Sequence, residues 1–184
     1  MLIHKIDEEV SLRMFNSDDA EEFYYLTIRS KEYLKEWLGW LDYTKTVADT
    51  ERNIAARCQE VVQNGGYPQS FAIIYKGKIA GTIGFNTIYK AHKIGVVGYW
   101  LGEEFQGKGI MSKAFKALID YGFNDLKLNR IEVRAAVGNT KSRALPEKFG
   151  FQQEGTIRDA EWLYDHFVDH TVYGLLAREW GSEQ

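Results

Sequence analysis

Polar and apolar positions change spacing several times along the chain, and each change marks an element. Val10–Phe15 alternates as a short strand. Asn16-Ser17-Asp18-Asp19 then offers side-chain oxygens and acids for a helix start, and Ala20, Phe23, Tyr24, Thr27 and Ile28 continue at helical spacing to about Ser30. A short helix is predicted over Lys31–Leu38, broken by Trp37-Leu38-Gly39-Trp40. Thr46 caps a longer one, Val47 to Gln63, which Asn64-Gly65-Gly66 ends. The texture then turns to β: Ser70–Tyr75 and Lys78–Ile88 form a hairpin through Lys76-Gly77-Lys78, and Ile94–Gly102 is a third strand in the series. Gly107-Lys108-Gly109 interrupts. Ile110–Phe123 is helical, with Ile110, Ala114, Ala117, Leu118 and Tyr121 on one side. Arg130–Val137 is a strand, Thr140–Phe149 a short helix, and two more strands run from about Phe151 to Trp162 and from Asp165 to Ala177.

Helices first, then a hairpin series, then strand–helix–strand describe an α+β domain with a mostly antiparallel sheet. Nothing repeats and no low-complexity linker divides the 184 residues, so one domain over 1–184 is expected, with its core at about 11–180. A formal charge of −3 gives no global basic field for nucleic acid or membrane. Lys108, Lys113 and Lys116 could still form a local anion site. The single Cys58 excludes an internal disulfide framework and is read as a small apolar helix residue in a reducing compartment. The N-terminus lacks an apolar signal stretch, and no run approaches the roughly 20 residues that span a bilayer. The expected location is cytoplasmic. Aromatics, 14% of the chain, suit a wide pocket or a subunit contact as well as a core, so a homo-oligomer is allowed.

The most informative segment is Gly98-Tyr99-Trp100-Leu101-Gly102-Glu103-Glu104-Phe105-Gln106-Gly107-Lys108-Gly109-Ile110-Met111-Ser112. A strand leads through glycines into a helix whose first N–H groups lack intrahelical partners, which makes a plausible diphosphate cradle. The alternative is a glycine turn that merely joins two elements. The phosphate-loop pattern with Gly-Lys-Ser or Gly-Lys-Thr is absent, and in a dinucleotide fingerprint the third glycine would fall on Ser112.

Gln106-Gly107-Lys108-Gly109-Ile110 resembles the acetyl-CoA loop of the GCN5-related N-acetyltransferases (GNAT), in which Gln or Arg precedes two free positions, Gly, one free position, and Gly or Ala. Gln106 and Gly109 match. Met111 departs from the last position, as in the branch that acetylates N-termini of ribosomal proteins, to which Tyr99–Ser112 as a whole is similar. The resemblance implies a three-layer GNAT fold: a central mixed, mostly antiparallel twisted sheet, helices on both faces, and splayed strands forming an acetyl-CoA cleft. It implies that backbone of Tyr99, Trp100 and Leu101 pairs with the pantetheine arm, and that N–H groups from Gly107, Lys108, Gly109, Ile110, Met111 and Ser112 hold the pyrophosphate. Asn139-Thr140-Lys141-Ser142 matches a second motif of the branch, placing Asn139 near the pantetheine or thioester and Ser142 beside the sulfur. Pro146 is unusual in the helix that follows and could shorten it.

Acetyl transfer needs a neutral amine, a polarised carbonyl and a proton for the departing thiolate. An α-amine titrates at about 7.7–8.0 against about 10.4 for lysine, so a weak base suffices for the former. The branch comparison puts that base at Glu161, in Asp159-Ala160-Glu161-Trp162-Leu163, and makes Ser142 the proton donor, directly or through a water. The Leu101 N–H would serve the oxyanion. Attack is direct, without an acyl-enzyme. Plainer readings stand beside these: Glu161 as a solvated strand carboxylate, and Ser142 as a brace of the Asn139 turn. Trp37, Trp40 and Tyr43 occupy the connection that walls the acceptor side in similar enzymes, as core packing or as an aromatic lip; Glu36 and Asp42 could attract a cationic N-terminus. His166 and His170 are four apart on a strand rather than a helix, about 13 Å, which favours surface or cross-strand histidines over a metal pair. No metal is expected. The acceptor is a protein or peptide N-terminus, or a small amine such as a polyamine, amino acid or antibiotic. A non-catalytic acyl-CoA-binding module is the alternative from another class, and an unrelated nucleotide-binding domain the remotest.

Overall fold

The protein is described by a computed structural model over residues 3–181. Among the described residues, eight strands form one mixed sheet, accompanied by five α-helices and short 3-10 turns. Chain packing divides into two compact units: the chain through Gly84 together with Tyr99–Ala117, and Phe85–Gly98 together with the chain from Leu118.

The first unit carries β1 (Ile3–Lys5), β2 (Val10–Arg13), β3 (Ser70–Tyr75) and the part of β4 (Lys78–Tyr89) through Gly84, neighbours in sequence order. β1 with β2, β2 with β3, and β3 with the first part of β4 all pair antiparallel, from Ile3↔Arg13 to Tyr75↔Lys78. α1 (Ala20–Arg29) is entered through a capping box: Asn16 accepts from Asp18 N–H while Asp19 accepts from Asn16 N–H at 2.8 Å. Asp19 also takes both ends of the Arg13 guanidinium, at 2.6 and 2.7 Å. α2 (Lys31–Lys35) stops three residues short of the predicted Leu38, since the chain turns at Glu36–Trp37. α3 (Val47–Gln63) starts at a second capping box, Thr46 with Asp49, and ends at Asn64 before Gly65. Both ends agree with the sequence expectation. Leu12, Phe23, Leu26, Ile54, Ile73 and Ile83 are among the buried side chains. Cys58 is half-buried on α3, its thiol 3.5 Å from the Phe15 carbonyl oxygen.

The second unit carries most of β5 (Ile94–Leu101), then β6 (Arg130–Ala136), β8 (His166–Leu176) and β7 (Gln152–Leu163) in that spatial order, with β7 at the edge. β5 and β6 run parallel, Ile94↔Arg130 to Val97↔Val133; β6–β8 and β8–β7 are antiparallel. α4 (Ile110–Asn124) begins in the first unit and ends in the second; α5 (Thr140–Lys148) lies in the second. Pro146 sits inside α5, which closes two residues later; a proline cannot donate to the turn before it. Tyr173, Ile131, Leu118 and Ile119 are fully buried. Among the described residues, no helix is long and apolar enough to cross a membrane.

Candidate active site

The glycine loop of the first unit is built by bonds its own residues make. Gly102 leaves β5 with its N–H on the Ala80 carbonyl at 2.9 Å. A Cβ there would meet Leu26 Cδ1 at 2.4 Å, so only glycine lets α1 approach. Ser30 Oγ accepts from Glu103 N–H at 3.0 Å, and the 3-10 turn Glu103–Phe105 follows. Gln106 then folds its carboxamide back, donating to the Leu101 carbonyl at 3.1 Å, and so ties the loop to the strand end.

Gly107 and Gly109 lie at φ +72 and +71, where an L side chain is strained, and a Cβ at either would meet nothing within 4 Å. Backbone conformation, not lack of room, makes these two positions glycine. Alternating handedness of this kind turns successive N–H groups to one side and forms an anion-binding concavity. The first helical bond, Lys113 N–H to Gly109 O at 3.3 Å, places that concavity at the positive end of α4.

Two of the lysines read in the sequence as a local anion site, Lys108 and Lys113, have partners within this unit. Lys108 Nζ donates to the Glu104 carbonyl at 2.7 Å and lies over the Phe105 and Tyr75 rings. Lys113 pairs with Asp7 at 2.6 Å; that bond, with the Glu9 and Val10 N–H groups, holds the Asp7 carboxyl down at about 2.

Trp100 is nearly buried. Its ring stacks on Phe23 with centroids 5.3 Å apart, and its carbonyl oxygen would lie 2.1 Å from a Cβ at position 81. Trp40 packs against it, centroids 6.1 Å apart, and is partly exposed; Trp37 is half-buried and Tyr43 is 80% exposed. The unit thus joins Trp40 to β5 through Trp100. Tyr99 meets Phe115 of α4 edge to face at 5.7 Å. Asp42, read in the sequence as a lure for a cationic N-terminus, is bridged by Lys31 at 3.1 Å and Lys35 at 3.4 Å, and Lys31 foremost lowers its pKa.

In the second unit, β6 ends in a turn braced by Asn139 N–H on the Ala136 carbonyl at 2.8 Å. Asn139 Oδ1 accepts from Ser142 N–H at 3.2 Å and caps α5. Among the described residues, nothing accepts from its NH₂ group. Arg143 continues the brace, reaching the Val137 carbonyl and the Tyr173 hydroxyl, each at 2.9 Å; that hydroxyl donates to Glu147 at 2.6 Å, and burial foremost raises its pKa.

Glu161 sits on β7 beyond a break in register. Ile157 pairs with His170 and Glu161 with Val168, so residues 158–160 of β7 face Asp169 alone. Asp159 takes φ +47 in this bulge, its N–H held by Asp169 Oδ1 at 2.8 Å. The bulge brings Glu161 diagonally beside His170, Oε2 to Nε2 at 3.0 Å. Of the two sequence readings of His170, surface or cross-strand, this place agrees with the second; its carboxylate partner is not legible in the sequence, because the bulge has no glycine to announce it. Among the described residues, no group of three His, Cys, Asp or Glu is placed to hold a metal ion.

Residues 9–152 match the model of the acetyltransferase (GNAT) domain. YdaF of Bacillus subtilis (strain 168), whose name assigns it provisionally to the ribosomal N-acetyltransferases, is 36% identical over 187 residues covering 100% of both chains. The solved structure of RimL, the ribosomal L7/L12 α-N-protein acetyltransferase, in complex with coenzyme A superimposes with a TM-score of 0.89 at 27% identity, covering 95% of this chain and 98% of that one. MccE, a microcin C7 self-immunity acetyltransferase solved with acetyl-CoA and AMP, gives 0.85 at 31% identity over 94% of each chain.

Proposed function

Because this chain belongs to the acetyltransferase (GNAT) family and is an N-acetyltransferase, we propose that it acetylates the N-terminal α-amine of a protein, a ribosomal protein being the favoured class. The observation that carries the α-amine reading is the likeness, over nearly the whole chain, to RimL, an α-N-protein acetyltransferase. Acetyl-CoA, when bound, supplies an acetyl group activated as a thioester. Gly107 and Gly109 fit such a ligand: their left-handed conformations shape an anion concavity, and the space above them is open. The N–H groups from Gly107 to Ser112 would hold the diphosphate, with Tyr99–Leu101 backbone along the pantetheine; Asn139 is assigned to the cofactor by its match to the second motif of the branch. Trp37, Trp40 and Tyr43 would bound the acceptor side.

The acid–base work falls to two side chains. Glu161 takes a proton from the acceptor amine, directly or through a water. An α-amine is already partly neutral near pH 7, so a carboxylate is base enough. Ser142 Oγ gives a proton on the sulfur side. We place this activity in the cytoplasm and in one domain over 1–184.

MccE favours a second reading, a small-molecule acceptor on the same cofactor cradle, since its name ties it to self-immunity toward a microcin. Calorimetry with acetyl-CoA against ATP and NAD, paired with thiol-release kinetics of Glu161→Gln, tests the assignment. Heat of binding is expected for acetyl-CoA only, with turnover of the variant lowered by ~10²–10⁴. Unchanged turnover across pH 6–9 would remove Glu161 from the mechanism.

A further inference from the structure

We propose that His170 is the positioning residue of the base: it ties one oxygen of Glu161 to the protein and leaves the other for the acceptor amine. The inference rests on the assignment of Glu161 given above. A carboxylate offers only acceptors, so in the 3.0 Å contact the proton lies on His170 Nε2 and is donated to Oε2. Among the described residues, Glu161 makes no other side-chain hydrogen bond.

The two partners differ in how firmly they are held. His170 belongs to β8, which is paired on both sides at that level, with Ala136 of β6 and Ile157 of β7. Its side chain is 16% exposed. Glu161 belongs to the edge strand, just past a bulge, and its side chain is 38% exposed. Left alone, a glutamate in that setting samples several rotamers, and a base must be held within hydrogen-bond reach of the proton it removes.

The bulge is what creates the pair. With an unbroken ladder from Ile157↔His170, position 161 would fall opposite His166, four residues along β8. Two extra residues in β7 draw Glu161 back to Val168, on the same face of β8 as His170 and one diagonal step away. Asp169 fixes the bulge by accepting from Asp159 N–H. The strained φ of Asp159 is maintained next to the residue to which the chemistry is assigned.

Steady-state kinetics on the full chain test this. His170→Phe keeps a ring and removes the donor; kcat is expected to fall roughly 10–100-fold with the KM for acetyl-CoA unchanged. His170→Gln places an amide NH₂ where Nε2 stands and should restore most of kcat. His170→Asn places its amide too short to reach and should not. In the Glu161→Gln background, His170→Phe should cost nothing further, since it acts only through Glu161. The same loss in both backgrounds would overturn the positioning role while leaving Glu161 as base. An inert Glu161→Gln would instead overturn the base assignment itself. Should His170→Phe fail to fold, the Gln and Asn pair still decides: equal kcat in the two contradicts the proposal.

Discussion

Gly109→Ala isolates the energetic cost of the loop conformation. The Cβ meets nothing within 4 Å, so no clash contributes, and the whole effect comes from holding an L residue at φ +71. That strain is about 1–2 kcal/mol. Restricting the unfolded chain returns about 0.4–1 kcal/mol, which leaves a net loss of about 0–1.6 kcal/mol. For a chain of this length the melting temperature should fall by about 2–4 °C per kcal/mol. Binding suffers more. If the free loop relaxes out of the left-handed well, the coenzyme must restore it, and ~1–2 kcal/mol corresponds to a loss of roughly 5–30-fold in affinity. Gly77→Ala is the matched control, a hairpin glycine at φ +81 with equally open space; it should lower melting similarly and leave affinity alone. Scanning calorimetry and titration with acetyl-CoA read both quantities. Equal affinity of the two variants for acetyl-CoA would refute a role for the Gly109 conformation in binding.

Two further outcomes follow from the ionic contacts. Asp19→Ala removes the partner of a largely buried Arg13, whose side chain is 19% exposed, together with half of the Asn16 capping box; a loss of about 3–5 kcal/mol is expected in denaturant unfolding, and a loss of only a few tenths contradicts it. Asp7 is held at about 2 by Lys113 and by two backbone N–H groups, below its ordinary 3.8. A depressed carboxylate stabilises the fold fully above the unfolded value and loses that contribution as pH falls toward about 2. Between pH 4 and 2, melting of the parent should therefore fall more steeply than that of Asp7→Asn, and equal slopes would refute the role of the Lys113 pair.

Local signals in the sequence were reliable where one short segment decides the geometry. Thr46 and Asp49 form the capping box that starts α3, and Lys76-Gly77 close a tight hairpin between β3 and β4. Gly107 and Gly109 were legible as a loop because their φ values demand glycine. Features made by distant partners were not. β1 has three residues, too few for a period, and exists by pairing with β2. The bulge that sets Glu161 beside His170 depends on Asp169, ten positions from the strained Asp159 it holds. Lys113 was legible as a cation near the loop, but its pairing with Asp7 joins residues more than a hundred positions apart. Trp100 was read for its backbone; its ring turns out to fix Trp40 and Phe23.

The acceptor decides the account. Thiol release from acetyl-CoA should be measured with a short peptide bearing a free N-terminal serine or alanine. The same peptide, blocked at its N-terminus and carrying one lysine, should be compared with a polyamine at pH 7. Turnover is expected with the free α-amine and little with the other two. Turnover with the polyamine alone, or tight acetyl-CoA binding with no turnover on any amine, would contradict it.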